Sequence, residues 1–259
     1  MHALLAQFRT IKLLGLELVD APLDQVVKTL AERPSTMDFA YIVTPNADHF
    51  VRLARQREQL MPYYVCAGAL LLDSRVIRRL GRILGLRVPP VVTGSDLTEE
   101  LFKHWIPADE PVTIIGTTLK SVRYLTLKYS LTKVSHFAPP FGFESDPALI
   151  EQCVQFVCTH PARFIFFACG APRQELLAQR IAQTGTASGI GLCIGAAIDQ
   201  IGGVEKRAPA WLRHASFEWS WRILREPKRM GLRYLQDLAI ILALIRERLG
   251  IRATRQSVR

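Results

Sequence analysis

Polar and charged residues follow several apolar segments of the chain, each at the point where a predicted strand ends. They are Thr44 and Asn46, Asp73, Gly94 and Asp96, Arg173 and Gln174, and Asp199. A carboxylate can take a proton from a hydroxyl as general base, whereas arginine side chains and free backbone N–H groups bind phosphate. The carboxyl ends of strands in a doubly wound sheet border one crevice. We therefore expect these residues to share a site.

Asp73 is the strongest candidate for acid–base chemistry. It follows the apolar run Leu70–Leu72, where partial burial would raise the pKa of a carboxyl group towards the range useful for a base. The alternative is that Asp73 caps a helix starting near Arg75, as acidic residues often do. The pattern alone favours the cap.

The stretch Arg163–Glu175 combines a buried strand with a polar turn. Its aromatic, apolar run ends at Gly170, and Pro172 stands where a helix can begin. A strand, a glycine turn and a helix in this order present backbone N–H groups to a phosphate, and Arg173 adds a cation. Taken alone, this stretch is more often an ordinary turn between a strand and a helix.

Several known catalytic patterns are absent from the sequence. It contains no GxxxxGK[ST] loop, no complete GxGxxG opening a helix, no GxSxG and no His/Cys set with metal spacing. No pair of carboxylates resembling DxD stands in a predicted loop, which weakens a mechanism through a Mg²⁺-bound nucleotide. The five cysteines form no CxxC pair, and such scattered thiols indicate a reducing compartment.

Apolar runs alternate with amphipathic segments along most of the chain. Strands are predicted near 39–43, 63–72, 111–116, 133–137, 164–169 and 189–194, with helices between them. This alternation predicts an α/β fold, with a mostly parallel, Rossmann-like sheet and helices on both faces. Ile11–Val19 is expected to add a hairpin or an edge strand. Asp20, Asp48 and Asp96 are the expected caps of three helices.

The positive charge is concentrated at the carboxyl terminus. Residues 205–259 hold 13 Lys/Arg against 5 Asp/Glu, whereas the first 204 residues hold 20 against 18. We expect a core domain at 1–207 and a basic amphipathic helical appendage at 208–259. Such a tail indicates an anionic partner, either a lipid surface or a nucleic acid, although solubility alone also explains it.

An apolar stripe runs along the last predicted helix. It consists of Leu235, Leu238, Leu242, Ile245 and Leu249, and it suits packing on the core as well as lying in a membrane interface. The apolar runs are too short to span a bilayer. The first ten residues also lack a signal-peptide pattern.

Taken together, these segments resemble the WecG/TagA/CpsF glycosyltransferase family of bacterial surface-polysaccharide synthesis. The matching segments occur in family order over roughly residues 11–235. They are Thr44-Pro45-Asn46 with Leu53-Ala54-Arg55, Asp73, Thr93–Leu97, Ile114–Gly116, Cys169–Glu175, Cys193–Gly203, Lys206–Trp211 and Phe217–Arg229.

The resemblance implies an inverting transferase that needs neither a metal nor another cofactor. Such an enzyme moves a hexose or N-acetylhexosamine-type sugar from a UDP-sugar to a polyprenyl-diphosphate-linked acceptor at the cytoplasmic face of the membrane. Asp73 falls at the place of the general base, and Thr44 and Asn46 line the same pocket. The resemblance also implies that Arg222, Arg225 and Arg229 close over the diphosphate. From their places at predicted strand ends and glycine turns, we expect a further group of residues to bind the donor: Gly94, Asp96, Gly116, Gly170, Arg173, Gln174 and Asp199.

The resemblance also implies partners and a location. The carboxyl-terminal basic helices are expected to dock on the inner face of the cytoplasmic membrane, which agrees with the charge distribution. The expected protein is peripheral and cytoplasmic, does not bind nucleic acid, and has an oligomeric state that the sequence leaves open. Nothing in the sequence selects the donor sugar.

Two segments depart from the family pattern. The family reads Pro-Asp-Gly where this chain has Leu72-Asp73-Ser74, and it has a phenylalanine where this chain has Ile198. These departures motivate an alternative, a non-catalytic protein that binds a UDP-sugar as a sensor or scaffold. A nucleic-acid-binding protein that uses the basic tail is a third hypothesis, but no known nucleic-acid motif supports it.

Overall fold

The computed structural model of the protein describes residues 4–202 and 239–250, and within them eight strands alternate with nine α-helices. The strands are β1 (Thr10–Leu13), β2 (Leu16–Val19), β3 (Ala40–Val43), β4 (Ala69–Leu70), β5 (Val112–Gly116), β6 (Val134–Phe137), β7 (Phe164–Ala168) and β8 (Ile190–Cys193). The helices are α1 (Leu23–Glu32), α2 (Ala47–Arg55), α3 (Arg57–Val65), α4 (Arg75–Ile83), α5 (Gly94–His104), α6 (Leu119–Lys128), α7 (Pro147–Thr159), α8 (Arg173–Thr184) and α9 (Ala197–Ile201). Residues 239–248 form a further helical segment.

The main sheet has six parallel strands in the order β4-β3-β8-β7-β5-β6. Strands β1 and β2 form a separate antiparallel hairpin, as expected for Ile11–Val19. Each parallel pair is connected through helices, because a parallel neighbour cannot be reached by a tight turn. The predicted α/β, Rossmann-like fold with a parallel sheet is therefore confirmed.

Helices cover both faces of the sheet, and the side chains of each strand alternate between them. In β7, Ile165 and Phe167 lie in one buried cluster with α2, α3, α4, α7 and α8, which we call face 1. Phe164 and Phe166 lie in the other cluster with α1, α5, α6 and α9, which we call face 2. This alternation follows from the two-residue period of a strand. A strand buried on both faces has to be apolar throughout.

The chain leaves neighbouring strands β3 and β8 towards opposite faces of the sheet. Helix α2, which follows β3, lies on face 1, and α9, which follows β8, lies on face 2. A crevice opens at the carboxyl ends of two such strands, and ligands of open α/β sheets bind there. The fold therefore places a candidate site between the ends of β3 and β8.

The helical segment 239–248 lies on face 1. Ile240 and Leu244 are buried in that cluster, whereas Leu242, Ile245 and Leu249 of the predicted apolar stripe are exposed. The inward face is therefore offset from the predicted stripe. The proposed boundary between residues 207 and 208 lies outside the described residues and stays a prediction.

Three predicted helix caps are wrong. Pro22 precedes α1 without a side-chain cap bond, Asn46 caps α2 in place of Asp48, and Thr93 caps α5 in place of Asp96. The predicted strand at 63–72 is also too long, because α3 extends to Val65 and only Ala69–Leu70 pair in the sheet. A local pattern marks a helix start only to within two or three residues.

Among residues 4–202 and 239–250, no helix is both long enough and apolar enough to cross a bilayer.

Candidate active site

Asp73 stands three residues after the end of β4 and does not cap the helix that follows it. The cap of α4 is Ser74, whose Oγ accepts a hydrogen bond from the backbone N–H of Ile77 at 3.2 Å. The Asp73 carboxylate instead accepts from the backbone N–H of Gly94 at 3.1 Å, across the gap between β4 and α5. Its own N–H donates to the carbonyl oxygen of Pro45 at 3.0 Å. The cap interpretation of Asp73 is therefore wrong, and its carboxylate faces the crevice region.

Thr44 joins the two strands that border the crevice. It follows β3, is buried, and donates from Oγ1 to the carbonyl oxygen of Cys193 in β8 at 3.1 Å. A Cβ added to Gly94 would lie 3.1 Å from Thr44 Oγ1 and 3.2 Å from the carbonyl oxygen of Ile194. A Cβ at position 94 would fit only if the neighbouring atoms moved by a few tenths of an ångström. Thr44, Asp73 and Gly94 thus form one tightly packed group.

Asn46 caps α2 and is held by His49 in a reciprocal arrangement. Asn46 Oδ1 accepts from the backbone N–H of Asp48 at 3.0 Å, and His49 Nδ1 accepts from the backbone N–H of Asn46 at 3.3 Å. This is the geometry of a capping box, with histidine in the place usually taken by Glu or Gln. The side chain of Asn46 is therefore fixed beside Thr44 at the edge of the crevice.

Gln174 and Glu175 begin α8 and are buried beneath the end of β8. Gln174 Oε1 accepts from the backbone N–H of Gly195 at 2.9 Å, and Gln174 Nε2 donates to Glu175 Oε1 at 2.8 Å. His49 Nε2 lies 3.5 Å from that same Glu175 oxygen. The Gln174 amide therefore holds the loop after β8 in position, and its expected contact with the donor stays a prediction.

Gly116 and Asp199 form a second group on face 2, at the amino terminus of α6. Asp199 Oδ1 accepts from Ser121 Oγ at 2.6 Å and also from Thr117 Oγ1, which follows Gly116 directly. Gly116 has a φ of +92°, and an added Cβ would lie 2.8 Å from the carbonyl oxygen of Ala168. The dipole of α6 also stabilises a carboxylate at its amino terminus. Through its two hydrogen bonds, the Asp199 carboxylate connects α9 with the start of α6.

Gly170 and Arg173 form a third group at the end of β7. Gly170 adopts a φ of +73°, and the Arg173 guanidinium lies 5.4 Å from the ring centre of Phe141. Phe141 is 94% exposed, in the loop that follows β6. An exposed aromatic ring can stack on a flat ligand group, and the guanidinium beside it can bind an anionic one. Nothing in the local pattern of its Pro/Gly loop singles out Phe141.

The carboxylate of Asp96 lies beside the first turn of α4. Its Oδ2 accepts from Arg75 Nη2 at 3.2 Å, and its backbone N–H donates to Thr93 Oγ1 at 2.9 Å. The neighbouring Ser95 Oγ donates to Gln200 Oε1 of α9 at 2.6 Å. These bonds tie α5 to α4 and to α9 around the crevice.

Burial governs the ionisation of the thiols near the site. It raises the pKa of Cys169 to about 12 and that of Cys153 to about 11. Burial likewise raises the pKa of the Tyr41 and Tyr64 hydroxyl groups. These groups are neutral near pH 7, so Cys169 presents no thiolate nucleophile to the site.

The sequence-predicted residues thus separate into groups. Thr44, Asn46, Asp73 and Gly94 lie together at the ends of β3 and β4, whereas Gly116 with Asp199 and Gly170 with Arg173 lie further along the carboxyl edge. Arg222, Arg225 and Arg229 lie outside the described residues. In the part of the chain that the structure describes, no three His, Cys, Asp or Glu side chains cluster as metal ligands would.

Sequence reasoning gave no role to His49 and Glu175. Glu175 belongs to the segment Gly170–Glu175 that carries the family resemblance, but its position in a first helical turn is equally typical of an exposed residue that favours the helix dipole. His49 is the third residue after a cap, which marks a capping box only weakly. Their contact was not visible in either local pattern.

The model of the glycosyl transferase WecG/TagA/CpsF family matches residues 11–254, nearly the whole chain. This is a family of glycosyltransferases involved in surface-polysaccharide synthesis. The match extends over the sheet, the crevice residues and the basic carboxyl-terminal region, and the chain belongs to the WecG/TagA/CpsF glycosyltransferase family.

Proposed function

We propose that the protein is an inverting, metal-independent hexosyltransferase. It takes a hexose or N-acetylhexosamine-type sugar from a UDP-sugar and transfers it to a polyprenyl-diphosphate-linked sugar. The step belongs to the synthesis of a surface polysaccharide or exopolysaccharide. The observation that carries the proposal is the position of the Asp73 carboxylate beside Gly94 at the carboxyl edge of the sheet.

In this mechanism Asp73 is the general base. It takes the proton of the acceptor hydroxyl while the hydroxyl oxygen attacks the anomeric carbon of the donor sugar from the side opposite UDP. A bond forms between that oxygen and the anomeric carbon, and the bond to the UDP oxygen breaks, so the configuration inverts. UDP leaves with the bonding electron pair. Thr44 and Asn46 line the same pocket, and the carbonyl oxygen of Pro45 between them accepts from the backbone N–H of Asp73.

The nucleotide is placed along the carboxyl edge of the sheet. Strands β4 and β7 are separated by two strands, so their ends stand about 14 Å apart. A donor whose sugar lies near Asp73 extends from there towards Gly170, Gly116 and Arg173. Guanidinium groups stabilise a departing diphosphate through charge-assisted hydrogen bonds. Arg173 takes this role, together with Arg222, Arg225 and Arg229 of the carboxyl-terminal segment.

The acceptor places the reaction at a membrane surface. A polyprenyl chain stays in the bilayer, so the enzyme has to work at the cytoplasmic face. The basic segment 208–259 docks there in this proposal, as a peripheral element attracted by anionic lipids. The excess of basic residues after position 204 supports this arrangement.

The test is an assay of UDP release across a panel of UDP-sugars, with and without a lipid-diphosphate-sugar acceptor. Release that requires the acceptor and survives EDTA is the expected result, and it identifies the donor sugar. Release that disappears with EDTA and returns with Mg²⁺ contradicts metal independence. Inversion is checked from the anomeric configuration of the product by NMR.

A non-catalytic UDP-sugar sensor is the second candidate. The bond from the Gly94 N–H occupies one oxygen of Asp73, and Ser74 replaces the glycine usual in the family, which favours a role for Asp73 in holding α5 in place. A sensor binds UDP or a UDP-sugar measurably and releases no UDP with any donor and acceptor pair. Transfer to any acceptor eliminates this candidate.

A further inference from the structure

The loop between β5 and α6 contains a residue in a strained backbone conformation. Thr117 has a φ of +57°, in the left-handed region that glycine adopts freely and that a residue branched at Cβ rarely enters. Such conformations persist where the surrounding contacts enforce them, and they are concentrated at functional sites. The contacts that enforce this conformation therefore indicate its role.

Two side-chain contacts from other elements hold this loop. Thr117 Oγ1 donates to Asp199 Oδ1 of α9. On the neighbouring strand β6, His136 Nε2 donates to the carbonyl oxygen of Gly116 at 2.9 Å. A carbonyl oxygen only accepts hydrogen bonds, so this ring nitrogen carries the hydrogen. The strained residue and the glycine before it are therefore held by two separate parts of the fold.

A second hydroxyl group reaches the same carboxylate oxygen. Ser121 is fully buried in α6, and its Oγ donates to Asp199 Oδ1 at 2.6 Å. Ser121 Oγ also lies 3.0 Å from Thr118 Oγ1. A hydroxyl group has one hydrogen, and that of Ser121 is directed at Asp199, so Thr118 is the donor to Ser121. Two hydroxyl groups thus converge on Oδ1 and fix the direction of the carboxylate.

The other oxygen of this carboxylate is left for a ligand. Asp199 is only partly buried, and its Oδ2 accepts no hydrogen bond from the residues in the ranges 4–202 and 239–250. A carboxylate accepts hydrogen bonds and repels anions. The group that fits Oδ2 is therefore an N–H or O–H of an uncharged part of a ligand, and not a phosphate.

The place of Asp199 along the sheet indicates which part of the donor that is. Its Oδ1 is bound beside the end of β5, and three strands separate β5 from β4. The ends of β4 and β5 therefore stand about 19 Å apart. In the proposed function the transferred sugar lies near Asp73, after β4, and the diphosphate lies near Arg173, after β7. The nucleoside is the part that remains for the end of β5.

We propose that Thr117 and Ser121 are positioning residues for the nucleotide. They hold Oδ1 of Asp199 so that Oδ2 accepts a hydrogen bond from an N–H or O–H of the nucleoside of the donor. The conformation of Thr117 follows from this role, because it places Oγ1 against Asp199. The inference rests on the proposed function for the direction in which the donor lies, while binding of UDP is measurable without sugar transfer.

Thr117→Gly separates positioning from folding. Glycine adopts a positive φ without strain, and this relief offsets the lost hydrogen bond, so the Tm should stay close to that of the unchanged protein. The hydroxyl that aims Asp199 is gone, so UDP should bind about tenfold more weakly, as measured by titration calorimetry. Thr117→Ser returns the hydroxyl and should restore the affinity. Unchanged UDP affinity in Thr117→Gly would overturn the proposal.

Thr126→Val is the matched control on the same helix. Thr126 donates from Oγ1 to the carbonyl oxygen of Val122 at 2.9 Å, a contact within α6. Its replacement removes a threonine hydroxyl that makes no hydrogen bond to Asp199, so UDP affinity should not change. A loss as large as that of Thr117→Gly would show that any hydroxyl of α6 has this effect, and the proposal would then fail.

Asp199→Ala tests whether Thr117 acts through Asp199. This change should weaken UDP binding by itself, and adding Thr117→Gly should then cause no further loss. A further tenfold loss would contradict the proposal. Kinetics with the UDP-sugar should show a raised KM and an unchanged kcat for Thr117→Gly, because the nucleoside is held equally in the ground state and the transition state.

Three analogues identify the group that Oδ2 binds. CDP lacks the imide N–H of uracil, whereas 2′-deoxy-UDP and 3′-deoxy-UDP each lack one ribose hydroxyl. The analogue without the bound group should bind the unchanged protein weakly and should be insensitive to Thr117→Gly. Equal sensitivity of all three and of UDP would exclude a nucleoside contact. An unchanged protein that binds no UDP contradicts the proposed function, whereas UDP binding that is indifferent to Thr117→Gly contradicts this inference alone.

Discussion

The carboxylate of Glu175 and the imidazole of His49 face each other in the interior, with Glu175 Oε1 3.5 Å from His49 Nε2. Glu175 is fully buried, and its Oε2 has no hydrogen-bond partner in the described part of the chain. Through Gln174 this pair reaches the backbone of Gly195, and through His49 it reaches Asn46. It therefore connects two edges of the candidate site.

Replacing Glu175 should disturb both edges. Glu175→Ala removes the acceptor of the Gln174 amide, and a buried donor left without a partner lowers the free energy of unfolding by about 1–3 kcal/mol. Glu175→Gln keeps the shape and one acceptor oxygen, so it should cost less and restore part of the kcat. Urea unfolding and steady-state kinetics measure the two effects.

The control for Glu175 is an exposed pair on α1. Lys28 and Glu32 lie 3.9 Å apart at the surface, and such pairs contribute below about 1 kcal/mol. Glu32→Ala should leave stability and kinetics unchanged. A Glu175→Ala variant as stable as Glu32→Ala would show that the buried pair does not hold the site.

Asp73→Asn should separate catalysis from folding. The amide keeps an oxygen for the Gly94 N–H but cannot act as a base. We therefore expect kcat to fall by about two to four orders of magnitude while UDP binding, measured by calorimetry, stays the same. Retained turnover would contradict the assignment of Asp73 as general base.

Ser74→Ala is the matched change one residue further along. It removes the cap of α4 and should lower the free energy of unfolding by about 1 kcal/mol, with little effect on kcat at a temperature well below the Tm. A larger stability loss from Asp73→Asn than from Ser74→Ala would assign Asp73 a structural role.

Two glycines with similar backbone angles allow two effects on stability to be compared. One is the strain of a positive φ on a residue with a Cβ, and the other is the collision of that Cβ with a neighbouring strand. Gly116 and Gly142 have φ values of +92° and +84°, but only at Gly116 would a Cβ collide with backbone atoms. Gly142→Ala should cost about 1–2 kcal/mol from the left-handed conformation alone. Gly116→Ala should cost about 2 kcal/mol more, because overpacking adds to it. Equal losses in urea unfolding would show that the contact of Gly116 with β7 relaxes freely.

The buried thiol of Cys169 should make stability depend on alkaline pH. Its folded pKa is raised to about 12 by burial, above the pKa of about 8.5 of a free thiol. A raised pKa contributes stability that is complete below the unfolded value and is lost as the pH rises towards the folded value. The Tm of the protein should therefore fall as the pH rises from about 8.5 towards 12. In Cys169→Ala this fall should be smaller, and an identical fall would exclude Cys169 as a cause.

The local sequence was enough to predict most strands and helices and to recognise the family. The aromatic run of β7 and the glycine turn after it were predictable, because a strand buried on both faces has to be apolar and a turn with positive φ favours glycine. The motif segments, read in order, identified the glycosyltransferase family, and the match over residues 11–254 agrees with them. Neither inference needs contacts between distant residues.

The tertiary structure decided which of several adjacent polar residues caps a helix and which one faces the crevice. Asp73 and Ser74 are equally good caps by pattern, and only the approach of Gly94 from another helix leaves Asp73 at the crevice. The pairing of Glu175 with His49 depends in the same way on how α8 and α2 meet above the sheet. A helix cap competes with long-range hydrogen bonds of similar free energy. Local sequence cannot rank two such bonds, because one partner of each is brought in by the packing of the whole chain.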